Sequence, residues 1–527
     1  MTDPSDLVIA VDVGSTSARA GVFDSGGQRL GRADHGFATV RPLPGHAEHG
    51  SDDIWNAVIA AVRAAVAAAG VPAERVAGLA FDATCSLVLL DDAGRPVSVS
   101  STGEDRWNVV MWADHRAMAE AAEISATGHR VLAHVGGVMS PEMELPKLLW
   151  LKRHLPASWA RAARAFDLAD FLAWRATGRA AVSACTVTCK WTYLNHEKPG
   201  WQPDLFRQIG LEDLPRRAGL PETAADIGSP AGTLTALAAA ELGLTTRCRV
   251  GVGLIDAHAG GLGLLGGVAE EDLDRRIAVI AGTSTCHMAA SPGPRPIAGV
   301  WGPYYGAMIP GMWLNEGGQS ATGALLDHIL DWHAQAPAGP ERHARVAARV
   351  EALLAEQGPA MAGGLMVLPD FHGNRSPLAD PSACGVIHGL TLDSSFDALA
   401  RLYYAACVGI VLGTRHILDA MDAAGYAIRV LHLTGGHVAN PVLLRLYADA
   451  TDRAVALPRE PDSVLLGTAA VAATAAGLHA SLRDAVRAMA GPGRKIEPDP
   501  QSRGHFAAQY RRFLLMHEQR RALDAVM

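Results

Sequence analysis

The feature that most restricts the fold of this chain is a strand–turn–strand unit that occurs twice. The first copy, residues 8–24, reads VIAVDVGSTSARAGVFD, and the second, residues 277–291, reads IAVIAGTSTCHMAAS. In both copies an apolar run ends at a glycine, small hydroxyl residues follow, and a second extended run leaves the turn. The copies lie about half a chain apart. They predict two domains of related architecture, each with such a turn.

The segments between these units predict an α/β fold. Residues 52–69 have the pattern of an amphipathic helix with Ser51 as its N-cap, and residues 76–82 read as a buried strand. The chain has 527 residues, which is too long for one hydrophobic core. We therefore expect one domain over residues 1–270 and a second over residues 271–527, joined by an exposed acidic linker near residues 267–276.

Composition narrows the class of partner. The formal net charge of -8 gives no electrostatic reason to bind nucleic acid or an anionic membrane. Seven scattered cysteines lack the paired spacing of a zinc site and indicate reduced thiols. The opening MTDPSDL lacks the basic-then-apolar layout of a signal peptide. We expect a cytoplasmic protein that acts on small molecules.

The two glycine-hydroxyl turns predict a phosphate site. Such turns offer unobstructed backbone N–H groups and hydroxyls to phosphate oxygens. Two of them, placed symmetrically, indicate a nucleotide phosphate chain held between the domains. The candidate residues are Gly14, Ser15, Thr16, Gly282, Thr283 and Ser284.

Two aspartates end apolar strands. Asp12 precedes the first turn, and a buried carboxylate there is costly unless it is paired or holds a cation, so it is either a turn-former or a metal ligand. Asp256 ends the strand RVGVGLID, where α/β proteins place ligands, although a helix N-cap explains it equally well. The glycines of residues 261–266 match a dinucleotide fingerprint but lie too far from the strand, so they predict close helix packing instead.

A second glycine signal, LHLTGGHVAN, combines Gly435, Gly436 and Asn440 after an apolar strand. A ligand could approach the backbone closely there, and an adenine or ribose would fit. A plain β–α turn is the alternative.

Aromatic and charged residues in three other segments suit a sugar or polyol, which has apolar faces and a rim of hydroxyls. They are Trp112 and Asp114 in MWADHRA, Glu316 in NEGGQ, and Lys190 in residues 183–201, which we expect to form an aromatic loop or ragged sheet beside a cleft. Salt bridges, a core tryptophan and a surface insertion are the structural alternatives.

Taken in order, these segments resemble the FGGY family of carbohydrate kinases. The resemblance rests on DVGSTSARAGVFD, MWADHRA, VGLIDAHAG, IAGTSTCHM, NEGGQSATGALLD, DFHGNRSPLADPSACGVIHGLTL and LTGGHVANPVLL. It implies two ribonuclease-H-like domains of the actin and hexokinase superfamily that face each other across a catalytic cleft. TCSLV at residues 84–88 and DFHGNRSPLADP resemble the D-ribulokinase branch. Asn374 and Cys384 stand where the family more often has glutamate and arginine.

The resemblance implies roles for the candidates. Asp12 and Asp256 would hold the Mg²⁺ of Mg-ATP, and Asp256 would be the general base. Gly14, Ser15, Thr16, Gly282, Thr283 and Ser284 would face the phosphates, Gly435, Gly436 and Asn440 the adenosine, and Thr84, Trp112, Asp114, Lys190 and Glu316 the sugar.

The implied reaction is ATP-dependent phosphorylation of D-ribulose to D-ribulose 5-phosphate. L-Ribulose, ribitol and D-xylulose are alternative acceptors. A non-catalytic sugar or ATP sensor and an ATPase chaperone are alternatives from another class. A homodimer is one assembly that the resemblance allows.

Overall fold

The computed structural model describes residues 6–491 and 493–526. Most of the opening MTDPSDL, on which the argument about a signal peptide depends, lies outside these residues. The strands are β1 (Leu7–Val13), β2 (Ser17–Asp24), β3 (Arg29–Gly36), β4 (Glu48–His49), β5 (Val76–Ala83), β6 (Leu87–Leu90), β7 (Val109–Val110), β8 (Arg164–Asp167), β9 (Pro230–Thr233), β10 (Arg249–Gly251), β11 (Leu254–Ile255), β12 (Arg276–Ala281), β13 (Thr285–Ser291), β14 (Trp301–Tyr305), β15 (Trp313–Gln319), β16 (Met366–Leu368), β17 (Val386–His388), β18 (Val430–Thr434), β19 (Ala454–Leu457) and β20 (Arg494–Ile496).

The helices pack on both faces of the two large sheets. They are α1 (Ser51–Ala69), α2 (Met118–Ala126), α3 (Glu144–His154), α4 (Pro156–Arg161), α5 (Leu168–Thr177), α6 (Ala184–Lys190), α7 (Pro203–Gln208), α8 (Leu214–Ala218), α9 (Ala236–Leu242), α10 (Asp256–Leu265), α11 (Glu270–Leu273), α12 (Gly323–Trp332), α13 (Arg342–Gln357), α14 (Phe396–Ala423), α15 (Pro441–Thr451), α16 (Ser463–Ala476), α17 (Leu482–Ala490) and α18 (Arg503–Asp524).

The two large sheets share one plan, which confirms the predicted α/β fold with two related halves. In the first, the order is β3-β2-β1-β5-β10-β9, with β11 also on β5. In the second, the order is β14-β15-β13-β12-β18-β19-β20. In each, a central strand pairs antiparallel with the outgoing strand of its turn and parallel with the strand on its other side. The two turns therefore occupy equivalent positions.

Two helices, α10 and α16, cross at the junction of the halves with very little space between them. A Cβ built on Gly263 would lie 2.3 Å from the carbonyl oxygen of Ser463, and one on Gly467 would lie 2.0 Å from that of Ala259. Any side chain at these positions would push the helices apart. The glycines of residues 261–266 thus serve helix packing, as predicted, and do not form a dinucleotide loop.

The chain returns to its first half near the end. Buried residues of α16 and α17, such as Leu466 and Met489, share one apolar core with Val8 and Ala10 of β1. The division at residue 270 stays a prediction. The sequence gives no sign of this return, because α16 is apolar on all sides and has no periodic signal for where it packs. The acidic linker is also more ordered than predicted, since it contains α11, and Leu273 is buried.

Two local predictions need correction. Residues 183–201 begin with a helix, α6, and not with an aromatic loop or ragged sheet. Every residue of α6 is buried, so its sequence shows no helical alternation of polar and apolar residues. The Ser183 hydroxyl caps the helix by accepting a hydrogen bond from the Cys185 N–H. Ser51 is the first residue of α1, and Gly50 is the N-cap.

The long helix α14 is apolar and long enough to cross a membrane by those two criteria alone. Most of it is buried inside the second half, against residues such as Val367 and Tyr447. Core packing accounts for its composition. All seven cysteines are free thiols.

Candidate functional site

A cleft of about 350 Å³ lies between the two halves. Both glycine-hydroxyl turns, the ends of β1, β5 and β11, and parts of β15 and α6 contribute to its walls. The predicted residues that line it are Asp12, Gly14, Ser15, Thr84, Trp112, Lys190, Asp256, Gly282, Thr283, Ser284 and Glu316.

The two turns have similar hydrogen bonding. In the first, the Gly14 N–H donates to the Ser17 carbonyl at 3.0 Å, and in the second the Gly282 N–H donates to the Ser284 carbonyl at 2.8 Å. Each turn is therefore closed by its own backbone, and the cleft is lined by Gly14 and Ser15 of the first turn and by Gly282, Thr283 and Ser284 of the second. Thr16 lies at an exposed tip and does not line the cavity.

Asp12 is buried at the end of β1 and forms an ion pair with Arg19. The Arg19 Nη1 lies 2.8 Å from the Asp12 Oδ2, because the two residues are opposite each other in the β1–β2 register. Burial raises the pKa of Asp12 to about 7, although the charge of Arg19 opposes this effect. Arg19 also lines the cleft and brings a positive charge beside the first turn.

Asp82 lies beside Asp12 in the parallel pairing of β1 with β5. Its side chain is fully buried, and its Oδ2 accepts a hydrogen bond of 2.5 Å from the Thr468 hydroxyl of α16. Burial and the neighbouring Asp12 charge raise the pKa of Asp82 well above its usual value. Both effects favour the neutral form of Asp82, which brings a second buried carboxyl group beside Asp12.

Asp256 is the first residue of α10, directly after β11. One oxygen, Oδ1, accepts a hydrogen bond of 2.6 Å from the Ala257 N–H. The other oxygen has no hydrogen-bond partner among residues 6–491 and 493–526. Burial raises the pKa of this carboxyl group. Such an oxygen, in a partly buried position that faces the cleft, is available to accept a proton.

The other end of the cleft holds a charged network around Glu316. Its Oε2 lies 3.1 Å from the His258 Nε2, and its Oε1 accepts a hydrogen bond of 3.0 Å from the Arg375 Nη2. Burial alone would raise the pKa of Glu316, but His258 and the positive charges of Arg375 and Lys190 lower it to about 2. The carboxylate is therefore ionised at all ordinary pH values.

One tryptophan lies between two cations at this end. The Lys190 Nζ lies 4.4 Å from the centre of the Trp301 ring, and the Arg375 guanidinium carbon lies 3.9 Å from it. Glu142 also lines this end. Burial alone would lower the pKa of Lys190 and of Arg375, but nearby negative charges, those of Glu316 and Glu142 among them, raise the pKa of both groups above the usual values. No ion pair fixes the Glu142 carboxylate among the described residues, so its oxygens remain open to hydroxyl donors.

Thr84 and Trp112 line the cleft together with the first turn. The Trp112 indole N–H donates to the Ser15 hydroxyl at 3.0 Å, and the Thr84 hydroxyl lies 3.1 Å from that of Ser86. Both residues therefore line the cavity and also hold its wall in shape.

Two predicted residues have side chains that are committed elsewhere. Asp114 lies outside the cavity lining and accepts hydrogen bonds from the Ala47 N–H and from the Arg116 side chain, so we withdraw it as a sugar ligand. Asn440 caps α15 by accepting from the Val442 N–H and donates to the Tyr403 hydroxyl, so we withdraw it as an adenosine contact.

Gly435 and Gly436 lie beside the second turn, outside the cavity lining. A Cβ on Gly435 would lie 2.4 Å from the carbonyl oxygen of Ala281, the residue before Gly282. The close approach fixes this loop against the turn. Gly436 is exposed, with open space where a side chain would stand. A flat ligand group could lie there.

The departure at Asn374 has a structural reason. Its Nδ2 donates to the Asp370 Oδ1 at 2.9 Å, and its Oδ1 accepts from the Leu378 N–H at 3.1 Å. These bonds hold the loop that carries Arg375 into the cleft. Cys384 is exposed on the surface, and nothing in the structure explains its departure.

The residues present fit a magnesium ion. Mg²⁺ in phosphate sites keeps several waters and takes one or two carboxylates, and Asp12 and Asp256 supply two on one wall of the cleft. The described residues include no cluster of three or more His, Cys, Asp or Glu that could hold a metal alone. The donor set therefore suits a cation that arrives with phosphate oxygens.

Sequence reasoning missed Arg19, Asp82, Glu142 and Arg375. The DVGSTSAR segment contained a signal for Arg19, since strand register places it opposite Asp12. The other three reach the site through tertiary contacts that no spacing reveals.

Comparison with known proteins gives matches over nearly the whole chain. Residues 7–263 match the N-terminal domain of the FGGY family of carbohydrate kinases, and residues 277–476 match its C-terminal domain. The chain is 43% identical to an FGGY carbohydrate kinase domain-containing protein of Danio rerio, over 98% of each chain. It is 37% identical to a D-ribulokinase of Saccharomyces cerevisiae, over 90% of this chain and 72% of that one.

Solved structures agree with the fold. A xylulose kinase from Rhodospirillum rubrum superposes with a TM-score of 0.81 at 26% identity, covering 98% of this chain and 99% of that one. A Plasmodium falciparum glycerol kinase with ADP has a TM-score of 0.78 at 14% identity, covering 97% and 98%. The second likeness concerns the fold alone.

Proposed function

We propose that this chain, which belongs to the FGGY family of carbohydrate kinases, phosphorylates D-ribulose with ATP to give D-ribulose 5-phosphate. Kinases of this family are phosphotransferases that use an alcohol group as the acceptor. One observation carries the proposal. Asp256, a carboxylate with a free oxygen, lines the same cleft as the two glycine-hydroxyl turns and the charged residues Lys190 and Glu316. The likeness to a yeast D-ribulokinase and the TCSLV segment support D-ribulose as the acceptor.

The sugar would bind at the Glu316 end. Glu316 and Glu142 accept hydrogen bonds from sugar hydroxyls, and the Lys190 ammonium donates to the hydroxyl or carbonyl oxygens. The Arg375 guanidinium holds Glu316 in position through the bond described above. Because Glu316 and Lys190 are buried and Glu142 is partly buried, a hydroxyl of the wrong configuration would leave one of them unpaired, at a cost of about 1–3 kcal/mol.

Asp256 would accept the proton of the terminal hydroxyl as that oxygen attacks the γ-phosphorus. A pKa raised by burial suits a general base, because proton transfer is most effective when the pKa of the base approaches the working pH. The hydrogen bond from Ala257 N–H fixes the carboxylate and leaves the second oxygen free.

The two turns would hold the phosphate chain of ATP. Backbone N–H groups and hydroxyls of Ser15, Thr283 and Ser284 face the cleft, and Arg19 adds a positive charge beside them. Asp12 and Asp256 would hold Mg²⁺, which when bound neutralises charge on the phosphates and helps to align them. Gly435 and Gly436 would lie against the adenosine.

D-Xylulose is the main rival acceptor, because the Rhodospirillum rubrum structure is a xylulose kinase. L-Ribulose and ribitol stay open within the family. The sensor and chaperone hypotheses are set aside, since the chain belongs to a family of enzymes. We keep Mg²⁺, a cytoplasmic location, the absence of nucleic-acid and membrane partners, and a homodimer as predictions.

A coupled assay of ADP release tests the proposal. The acceptors would be D-ribulose, L-ribulose, D-xylulose, ribitol and glycerol, each with Mg-ATP. We expect the largest kcat/KM with D-ribulose. A larger value with D-xylulose or glycerol would overturn the assignment of the acceptor and leave the kinase assignment intact.

A further inference from the structure

A second cavity, of about 550 Å³, lies at the junction of the two halves, away from the cleft. We propose that it is a regulatory site for a small phosphate ester, held by Arg276, Arg487, Arg494 and Lys495. This inference concerns binding outside the catalytic cleft and does not depend on which sugar the enzyme phosphorylates.

The lining of this cavity has a strongly positive balance. Four basic side chains, Arg276, Arg487, Arg494 and Lys495, line it, and no described lining residue carries a carboxylate. The whole chain has a net charge of -8, so the charge of this cavity is opposite in sign to the net charge of the protein. A cavity with charge of one sign on its walls concentrates ligands of the opposite sign.

Two of these cations have nothing to neutralise them. The side chains of Arg487 and Arg494 have no hydrogen bond or ion pair with any residue that the structure describes. Lys495 forms an ion pair of 2.7 Å with Glu497, and Arg276 lies 4.0 Å from Asp272. Arginine guanidinium groups bind phosphate with two parallel hydrogen bonds, so unpaired arginines at a cavity favour a phosphate ligand.

The wall of the cavity combines apolar side chains, such as Leu264, Val430 and Val486, with one polar contact. The Arg276 Nη1 lies 3.3 Å from the His432 Nε2, on two neighbouring strands, β12 and β18. Both residues line the cavity. Because a lone phosphate occupies far less than 550 Å³, while pockets for small organic ligands span about 300–1,000 Å³, the site fits a phosphate ester with an organic part.

The position of the cavity connects it to the cleft. Its walls come from α10, from α17, which packs on the first half, and from β12, β18 and β19 of the second half. Helix α10 carries Asp256 at one end and Leu264 near the other, about 12 Å along its axis. A ligand that joins Arg487 of α17 to Arg276 of β12 would resist or favour the relative movement of the halves, and would therefore change sugar affinity or turnover.

Calorimetry with the cleft blocked tests this site. The wild-type protein would be saturated with a non-hydrolysable ATP analogue and Mg²⁺, then titrated in turn with a pentose 5-phosphate, a hexose 6-phosphate, AMP and inorganic phosphate. We expect one added equivalent of at least one ester to bind, and inorganic phosphate to bind more weakly. The ester that binds best identifies the organic part as sugar or nucleoside.

The decisive variant is the double substitution Arg487→Ala with Arg494→Ala, since both side chains are exposed and lie outside the catalytic machinery. It should weaken this binding by about tenfold or more, because hydrogen bonds to charged groups are lost. It should also remove any effect of the ester on sugar KM or kcat. The matched control, Arg216→Ala with Arg511→Ala, removes two exposed charges elsewhere and should change neither.

Three results would overturn the proposal. They are no binding once the cleft is blocked, binding that the Arg487→Ala/Arg494→Ala protein retains, and binding that the control variant loses equally. Binding by the wild type without any change in KM or kcat would overturn the regulatory role.

Discussion

At the scale of single residues, Asp256 carries the chemical step in this account, because one of its oxygens is fixed by the Ala257 N–H and the other faces the cleft. Asp256→Asn keeps the shape and removes proton acceptance. We expect kcat to fall by about 10²–10⁴-fold, with a much smaller change in sugar binding measured by calorimetry.

Asp12→Asn is the control for that prediction. Both substitutions weaken the proposed metal site, but Asp12→Asn leaves the general base in place, so added Mg²⁺ should restore a larger part of its activity than of the activity of Asp256→Asn. If Asp256 only stabilised the start of α10, asparagine would replace it well, and kcat near the wild-type value would reject the general base.

Asp12 also predicts a pH dependence of stability. The pKa of Asp12 in the folded protein, about 7, lies above the usual carboxyl value. The folded state therefore loses stability as pH rises from about 4 to about 7, and above that range the full free-energy cost of ionising the buried carboxyl group is present. Asp12→Asn removes this cost of ionisation. Its melting temperature should exceed that of the wild type at pH 8, and the difference should shrink towards pH 5.

The exposed Asp92 gives the control for this measurement, since Asp92→Asn should shift the melting temperature little at either pH. A stabilising effect of Asp12→Asn that grows as pH falls would contradict the proposed burial cost.

At the scale of elements, the crossing of α10 and α16 sets the position of Asp256 relative to the second half. A Cβ on Gly467 would lie 2.0 Å from the backbone of α10, so Gly467→Ala must separate the helices. We expect it to lower the free energy of unfolding in urea by about 1–3 kcal/mol. Gly504→Ala in α18 has open space and should be neutral or slightly stabilising.

If Gly467→Ala were as stable as the wild type, the close contact between α10 and α16 at this position would be contradicted. Reduced kcat in that variant, with sugar still bound, would connect the crossing to the placement of the base.

Sequence predicted the turns well and the long-range partners poorly. The Gly14 and Gly282 turns follow from local chemistry, and the paired sheets reproduce them. Arg375 and Glu316 meet only because the Asn374 loop folds back, a contact that spacing does not encode. Asp114 and Asn440 looked like ligands because sequence shows the residue type and not whether its hydrogen bonds are already used.

At the scale of the whole molecule, the two glycine-hydroxyl turns come from different halves, so both would touch ATP only across the cleft. Closure of the halves would exclude the water that would otherwise accept the phosphoryl group. Small-angle scattering should show a smaller radius of gyration with D-ribulose plus a non-hydrolysable ATP analogue than with neither. An unchanged radius would count against closure.

The most direct test of the central claim is a competition for the enzyme between acceptors. D-[1-¹³C]Ribulose and one unlabelled rival, L-ribulose or D-xylulose, would be mixed in equal amounts with limiting Mg-ATP, and mass spectrometry would give the labelled fraction of pentulose phosphate. This fraction reports the ratio of kcat/KM values directly. We predict that labelled product exceeds unlabelled product by about tenfold or more, because a misplaced hydroxyl leaves Glu316, Glu142 or Lys190 unpaired. An excess of unlabelled product with either rival would contradict the account.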